Sequence, residues 1–238
     1  FTDIRVVNPN FRVDQDMKDE SGYNTDLGIR GRLKKYLTYD ITGFHLVYND
    51  RIGSVLQKDT ITYQNFRYRT NIGKAKNSGI EFFVELDILK ALKGDNAQYS
   101  FAVFTNTAII RAKYVSSIDA SIKEGNQVEL VPKYNSKIGV SFGNKNLKMA
   151  YQLTYLSEQF TEATNAVNPT SNAIDGLIPS YSVMDISTNY TFKSFKIESG
   201  INNLFDQMYF TRRAAAYPGP GIIPSDGRSF YFTLQVKI

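Results

Sequence analysis

The sequence predicts an all-β protein whose antiparallel strands form part of a transmembrane β-barrel. Three observations predict this fold. Apolar and polar residues alternate over nine segments, tight turns alternate with long polar loops between them, and tyrosine and phenylalanine concentrate near the segment ends. Alternation places one strand face against apolar surroundings and the other against polar ones. Short turns at one end and long loops at the other are typical of outer-membrane barrels, whose turns are periplasmic and loops extracellular.

The nine predicted strands are each about ten residues or longer, enough to cross a bilayer at the usual tilt. The clearest is 147–155, where every odd position is apolar or small and Lys148, Gln152 and Thr154 lie between. Only 86–93 resembles a helical turn or two. The predicted strands are 22–32, 36–49, 66–87, 98–110, 127–142, 147–160, 181–192, 195–205 and 228–238; the turns 31–35, 142–146 and 193–194; the long loops 50–65, 111–127, 160–179 and 206–227.

The composition excludes several function classes. The 238 residues include no Cys, so thiolate metal sites, iron–sulfur clusters and a cysteine nucleophile are excluded. The single His45 leaves too few ligands for a histidine metal site, and no catalytic constellation is present, so we expect no enzyme, no metal site and no cofactor. The net charge of +5 is spread along the chain rather than clustered, which argues against nucleic-acid binding. The sequence contains no run of about 20 apolar residues, so it predicts no transmembrane helix.

The end of the sequence carries a specific pattern. Apolar residues occupy every second position of the last strand, which resembles the terminal signal that barrel proteins present to the barrel-assembly machinery, although the usual final residue there is Phe. Nine strands cannot close a bacterial single-chain barrel, which has an even number. The chain also starts at Phe1 without a signal peptide. We therefore expect residues 1–238 to be the C-terminal portion of a larger barrel. The residues of the terminal signal are Phe230, Phe232, Leu234, Val236 and Ile238.

Several motifs resemble those of TonB-dependent outer-membrane receptors. Residues 8–14 read Asn-Pro-Asn-Phe-Arg-Val-Asp, and 22–31 follow with Gly-Tyr-Asn-Thr-Asp-Leu-Gly-Ile-Arg-Gly. Residues 200–206 read Gly-Ile-Asn-Asn-Leu-Phe-Asp, with Tyr-Phe-Thr-Arg at 209–212. The segment 217–228, Tyr-Pro-Gly-Pro-Gly-Ile-Ile-Pro-Ser-Asp-Gly-Arg, is similar to the final loop of ferric-citrate-type siderophore receptors.

This resemblance implies a barrel of 22 strands around an N-terminal plug domain in the outer membrane of a Gram-negative cell. Residues 1–238 would supply about the last nine strands, and the plug would be absent. The implied function is active uptake of a ferric siderophore, similar to ferric citrate, or of another scarce nutrient, energised through TonB by way of the missing N-terminal part. The implied surroundings are outer-membrane lipid and lipopolysaccharide.

Arginine at the barrel mouth would suit an anionic ferric siderophore, because its guanidinium offers forked hydrogen bonds. Each arginine also has a structural alternative, in which it pairs with a neighbouring acid such as Asp206 or Asp226. The predicted ligand-binding residues are Arg67, Arg69, Arg212, Arg213, Tyr217 and Arg228. The Asn-Leu-Phe-Asp motif is predicted to be structural, satisfying backbone groups where a strand becomes a loop. It comprises Asn202, Asn203, Leu204, Phe205 and Asp206.

Three alternatives remain at this point. A glycan-importing receptor of the SusC type keeps the barrel but favours aromatic stacking platforms over arginine. A passive porin or an adhesin barrel would have no plug or TonB-contacting segment. A soluble β-sandwich binding module would show similar alternation, with its polar faces outside.

Overall fold

The computed structural model describes residues 11–94, 96–214 and 221–237. Strands dominate, and a single short helix, α1, spans Ile88–Lys93 in this part of the chain. The long strands are β2 (Ser21–Leu33), β3 (Leu37–Lys58), β4 (Asn65–Asp87), β5 (Ser100–Ser117), β6 (Tyr134–Gly143), β7 (Leu147–Leu156), β10 (Tyr181–Phe192), β11 (Phe195–Asn202) and β14 (Ser229–Val236). The short ones are β1 (Phe11–Val13), β8 (Gln159–Phe160), β9 (Leu177–Ile178), β12 (Phe210–Ala214) and β13 (Gly221–Pro224).

The nine long strands form one antiparallel sheet in the order β14-β11-β10-β7-β6-β5-β4-β3-β2, so each pairs with the long strands before and after it in the chain. This confirms the predicted nine-strand antiparallel meander. The short β1 adds in parallel to the loop end of β4, with Val13 opposite Arg69. Within the described residues β2 and β14 each pair along one edge only, so the sheet is open rather than a closed barrel.

The two faces of the sheet differ in polarity, as alternation predicts. On one face of the β6–β7 pair Ile138 lies opposite Leu153 and Val140 opposite Tyr151, whereas Lys137 belongs to the other face. We call the apolar side the outward face. Large apolar side chains stay exposed along it, including Leu27, Ile29, Ile41, Ile80, Val103, Ile109, Ile138, Val140, Phe142, Met149, Phe230 and Phe232.

An exposed apolar face of this extent is suited to contact with lipid hydrocarbon. A soluble β-sandwich would cover it with a second sheet, and no strand of the described residues does so. The sandwich alternative is therefore wrong. No helix in this part of the chain is long and apolar enough to cross a membrane.

Aromatic side chains occur on the outward face near both ends of the long strands. Tyr134 begins β6 and Tyr155 lies near the end of β7, on the side of the long loops. Phe142 and Phe192 lie near the turns, where Tyr99 stacks on Phe142 with ring centroids 5.9 Å apart. The eight residue steps from Tyr134 to Phe142 span ~26 Å along the strand. At the usual strand tilt of ~35–45° this length covers ~20 Å of membrane height, which is most of the ~25 Å apolar band expected between two aromatic girdles.

The three predicted tight turns are present and depend on residues that adopt special backbone conformations. Lys193 has a φ of 51° in the two-residue connection from β10 to β11, and Lys34 a φ of 49° between β2 and β3. Between β6 and β7 the Asn144 side-chain oxygen accepts the backbone N–H groups of Asn146 and Leu147, at 2.8 and 2.9 Å. This Asx-type turn reverses the chain without a long loop.

The predicted helical turn at 86–93 corresponds to α1, which caps the turn end between β4 and β5. Its N-cap is Asp87, whose carboxylate accepts the backbone N–H of Lys90 at 3.0 Å. Gly94, with a φ of 84°, ends the helix.

The loop end of the sheet differs from the sequence prediction in its boundaries. Residues 50–65 and 111–127 were predicted as loops, but β3 continues to Lys58, β4 begins at Asn65 and β5 continues to Ser117. Conversely, β6 begins at Tyr134 rather than at 127. The strand extensions mix polar and apolar residues on each face, because one face packs beneath connections from other parts of the chain rather than against lipid. They therefore lack the alternation that marks a strand crossing lipid.

The one cluster of buried apolar side chains in the described residues also lies at the loop end. It packs the extensions of β3, β4 and β5 beneath the connection 118–133 and the start of the 157–180 connection. Gly53 in β3 makes this packing possible, because a Cβ there would come within 2.2 Å of Ile72 Cδ1. The cluster contains Val55, Ile72, Ala75, Ala112, Tyr114, Ile122, Val128 and Ala163.

Candidate ligand-binding site at the loop end

The connections 59–64, 118–133, 157–180 and 203–228 all leave the sheet at the same end, where β1 also lies. The predicted ligand-binding arginines belong to these connections or to the strand ends beside them. Their surroundings differ, so they do not form one cluster of equivalent cations.

Arg67 forms an ion pair between the loop end of β4 and a distant connection. Its guanidinium in β4 bonds to the carboxylate of Asp175, 108 residues further along the chain and buried in the 157–180 connection. The carboxyl of Glu162 lies in the same environment, and its pKa is raised by burial and by the charge of Asp175. Arg67 therefore balances at least part of a local carboxylate charge.

Arg69 lies two residues further along β4 and is partly buried. Its backbone carbonyl accepts the N–H of Asp14 at 2.9 Å, which anchors the N-terminal segment. Among the described residues its guanidinium has no ion-pair partner.

Arg213 joins two loops. Its Nη1 donates to the carbonyl oxygen of Ala173 and its Nη2 to that of Leu177, both at 2.9 Å, while its guanidinium lies 5.1 Å from the ring centroid of Phe210. These bonds tie the β12–β13 hairpin to the 157–180 connection. The neighbouring Arg212 projects from the other side of the strand and is exposed.

Arg228 is exposed, and its backbone N–H donates to the Asp206 carboxylate at 2.8 Å. That bond uses the main chain, so it fixes the start of β14 and does not engage the guanidinium. Tyr217 lies outside the described residues, as do Ile238 of the terminal signal and residues 8–10 of the first family motif.

Asn203 of the Asn-Leu-Phe-Asp motif is 3% exposed and has a φ of 51°. Its backbone N–H donates to the Asp185 carboxylate at 2.9 Å, and its side-chain oxygen accepts the N–H of Gln207 at 2.8 Å. Its side-chain amide donates to the carbonyl oxygens of Gln207 and Asp226, at 3.0 and 3.4 Å. One side chain thus links the end of β11, the following loop and the approach to β14.

The rest of the motif continues this junction. The backbone N–H of Leu204 donates to the Met184 carbonyl at 2.7 Å, and the side-chain amide of Asn202 donates to the Ser229 hydroxyl at 3.3 Å. Phe205 remains exposed. These contacts join β10, β11 and β14 at the loop end.

Sequence reasoning missed a polar cluster formed by the buried Tyr114 and the half-buried Arg51 and Glu129. Arg51 Nη1 donates to Glu129 Oε1 at 2.7 Å and also bonds to the Tyr114 hydroxyl, which in turn donates to Glu129 Oε2 at 2.8 Å. The arginine is 63 and 78 residues away from its partners, and all but Glu129 lie in stretches predicted as loops. No local pattern in the sequence could have joined them.

A second missed contact holds the N-terminal segment. Arg12 forms an ion pair with Asp59 in the 59–64 connection. Backbone N–H bonds from Thr62 and Ile61 together with this arginine hold the pKa of Asp59 well below its usual range. In the described part of the chain, no three acidic or histidine side chains come together closely enough to hold a metal ion.

The fold has clear relatives among solved structures. The chain is 24% identical to the ferric citrate transporter FecA, with a TM-score of 0.73 over 90% of this chain and 30% of that one. It is 15% identical to the copper transporter OprC (TM-score 0.71, 94% and 33% covered). It is 18% identical to the ferric yersiniabactin uptake receptor FyuA from Yersinia pestis (TM-score 0.64, 91% and 30% covered). The chain thus spans about a third of the length of these structures.

Among curated proteins, none matches the chain in sequence. The family model described as "TonB dependent receptor-like, beta-barrel" matches residues 2–204, which is most of the chain and includes eight of the nine long strands. The chain belongs to the TonB-dependent receptor family and forms part of its β-barrel in the outer membrane of Gram-negative bacteria.

Proposed function

We propose that the chain forms part of the wall and extracellular mouth of a receptor that imports an anionic ferric siderophore, similar to ferric citrate, with energy supplied through TonB. The single observation that carries the transport proposal is the family match over residues 2–204. The siderophore proposal is supported by two solved neighbours, a ferric citrate transporter and a ferric yersiniabactin receptor, whereas a third neighbour is a copper transporter.

The charges at the loop end support an anionic cargo. Arg212 and Arg228 are exposed there, and their guanidinium groups have no ion-pair partner among the described residues, which is also true of Arg69. A guanidinium at an open mouth can bond an iron-bound carboxylate in a forked geometry. Arg67 and Arg213 already bond to protein groups, so a ligand would have to displace those bonds. Arg212 and Arg228 are therefore the first ligand contacts that we propose, with Tyr217 beside them in sequence.

We also propose that the chain supplies about nine of 22 strands, and that the other strands, the plug and the TonB-contacting segment come from sequence outside it. The two open sheet edges and the threefold greater length of the solved neighbours support this proposal. The outward residues of β14 would be read by the barrel-assembly machinery, and the apolar face would contact outer-membrane lipid and lipopolysaccharide.

Growth and uptake on ferric citrate as the sole iron source test the cargo. We expect deletion of the receptor gene to abolish growth and the intact gene to restore it. Arg212→Ala should weaken cell-surface binding of radiolabelled ferric citrate ~10-fold or more, because a charge-assisted hydrogen bond contributes ~1.5–3 kcal/mol. Lys145→Ala, which removes an exposed cation from the turn end, is the matched control. Unchanged uptake in the deletion strain would contradict the ferric-citrate proposal.

A glycan cargo is the second candidate, because a stacked aromatic pair lies at the loop end. Tyr181 begins β10, and its ring stacks on Tyr209 with centroids 4.5 Å apart. The two rings cover one face of each other, which leaves less platform for a sugar. Growth on oligosaccharides that requires the receptor and that Tyr209→Ala impairs would favour this candidate.

A further inference from the structure

One compact loop lies against two of the arginines at the loop end, and we call its residues 167–177 the strap. The backbone N–H of Leu177 donates to the Val167 carbonyl oxygen at 3.3 Å and closes the strap at its base. Thr161 holds the same point, because its hydroxyl donates to the Gly176 carbonyl oxygen at 3.0 Å and accepts the Gly176 N–H at 2.9 Å. These bonds fold the strap without the help of an arginine.

The strap bonds to both arginines through acceptor oxygens. The buried carboxylate of Asp175 forms an ion pair with Arg67 of β4. Ala173 and Leu177 lie two residues before and after Asp175, and their carbonyl oxygens accept N–H groups of Arg213 in β12, each at 2.9 Å. One short stretch of backbone therefore presents a carboxylate and two carbonyl oxygens to guanidinium groups from two distant strands.

The strap leaves the bonding capacity of these arginines incompletely used. Among the described residues Arg67 bonds only through Nη2, and its side chain is 24% exposed. Arg213 Nε is buried without a hydrogen-bond partner in the same part of the chain. The single Asp175 carboxylate balances one of the two guanidinium charges. Glu162 adds a carboxyl nearby, but burial raises its pKa and so disfavours its charged form.

The groups that the strap offers are the groups that a ferric carboxylate chelate also presents. Hydrogen bonds between a guanidinium and a carboxylate are roughly twice as strong as those to a neutral acceptor, and they can be forked. The strap gives Arg213 only neutral carbonyl oxygens. A chelate with two or more carboxylates can give both arginines a charged partner, whereas a monoanion leaves one of them to the strap.

We propose that the strap occupies the anion-binding arginines as a built-in competitor of the cargo. A cargo with at least two carboxylates displaces Asp175 from Arg67 and the strap carbonyls from Arg213, and the strap then moves away as a folded unit. The strap thereby selects polyanionic over monoanionic cargo, because only the former engages both guanidinium groups at once. This inference rests on the proposed uptake of an anionic chelate.

Equilibrium binding of radiolabelled ferric citrate to the detergent-purified receptor tests the competition. Asp175→Asn removes the competing charge and keeps the size of the side chain, so we expect the affinity to rise at least ~10-fold. If Asp175 only stabilised the loop end, the same variant would weaken binding. In an Arg67→Ala background, Asp175→Asn should no longer raise the affinity. Asp119→Asn is the control, because Asp119 has no ion-pair partner among the described residues.

A second readout follows the strap in the absence of cargo. Thr60 in the 59–64 connection and Ser171 in the strap are both exposed, so each accepts a spin label after substitution by cysteine. The distance between the labels at Thr60→Cys and Ser171→Cys, measured by double electron–electron resonance, should lengthen when Asp175→Asn is added. Saturating ferric citrate should lengthen it in the receptor with native Asp175, and millimolar acetate, a monoanion, should not.

The two readouts separate failure of the strap from failure of the cargo. A label distance that lengthens in Asp175→Asn while no variant binds ferric citrate would support the strap and contradict ferric citrate as the cargo. Normal ferric citrate binding with an unchanged or weaker affinity in Asp175→Asn would overturn the strap, as would displacement by acetate. Heat-dependent gel migration verifies that each variant is folded, and Asp175→Ser replaces Asp175→Asn if that variant fails this check.

Discussion

Asn203 shows at the residue scale how a strand end is tied to a loop in this wall. The residue combines deep burial, a positive φ and four hydrogen bonds, and its partners come from β10, the loop after β11 and the approach to β14. Asparagine tolerates this backbone conformation better than most residues. Its side chain also satisfies both a donor and an acceptor that the loop would otherwise bury unpaired.

Asn203→Ala should loosen this junction. The variant loses the three side-chain bonds and strains the backbone at a φ of 51°, which we expect to cost ~2–3 kcal/mol of local stability. Hydrogen exchange at the amide of Gln207, corrected for intrinsic rate, should accelerate ~30-fold or more. Asn203→Gly separates the two causes, because it keeps the backbone relaxed. Asn202→Ala, which loses one 3.3 Å bond, is the control, and equal acceleration in both Ala variants would contradict the assignment.

The arginines show that the sequence can predict which side chains lie at the loop end but not which partners they bond to. The sequence predicted arginine at the mouth, and the structure does place Arg67, Arg212 and Arg213 at the loop end. The sequence could not predict that Arg213 bonds to carbonyl oxygens 36 and 40 residues away, or that Arg67 forms an ion pair with Asp175. Those partners depend on how the loops fold over one another.

At the scale of elements, alternation predicted the strands where they cross lipid and failed where they rise above it. The β10–β11 hairpin was predicted to within three residues at each strand end, and the turn between β6 and β7 to within one, because each position there faces either lipid or a polar surface. The extension of β3 beyond Asn49 and of β5 beyond Ile110 was missed, because packing under the connections 118–133 and 157–180 holds these segments. That packing involves Val55, Tyr114 and Val128, which are distant in sequence.

The 157–180 connection contains two carboxyl groups, of the half-buried Glu162 and the buried Asp175, and the energetics of Glu162 depend on pH. Burial, and then the charge of Asp175, raise the pKa of Glu162 above its ordinary value of 4.5. A carboxyl whose pKa is raised on folding destabilises the folded state where it is ionised, above its unfolded pKa. The cost disappears as the pH falls through the folded value and then the unfolded value. Asp59 has the opposite sign, since its pKa is lowered, and it keeps its stabilising effect until strongly acidic pH.

We therefore expect the 157–180 connection to open more readily at pH 8 than at pH 5. The measurement is hydrogen exchange across this connection, corrected for the intrinsic pH dependence of exchange. Glu162→Gln should remove most of the difference, because it removes the buried charge and keeps the shape of the side chain. Glu158→Gln replaces an exposed carboxyl nearby and should change nothing. A pH dependence that persists in Glu162→Gln would assign the effect to another group.

For the whole molecule, the two faces of the sheet indicate which side contacts lipid. The difference between its two ends indicates which end carries the long connections and which the tight turns. The outward face carries apolar residues between two aromatic girdles, and the opposite face carries charged and polar groups such as the Lys196–Glu198 ion pair. The long connections gather at one end and α1 with the tight turns at the other. The proposed uptake uses the first end, and the proposed contact with membrane lipid uses the outward face, so the two roles occupy separate surfaces.

Cysteine scanning can test this orientation directly, because the chain contains no Cys and each introduced thiol within it is unique. Spin labels at Ile138→Cys and Leu153→Cys, which are paired on the outward face, should be relaxed strongly by oxygen dissolved in lipid. Labels at Lys137→Cys and Thr154→Cys, paired on the other face, should be less accessible to oxygen and more to a water-soluble nickel chelate. Matching accessibilities on the two faces would contradict a wall with lipid on one side only.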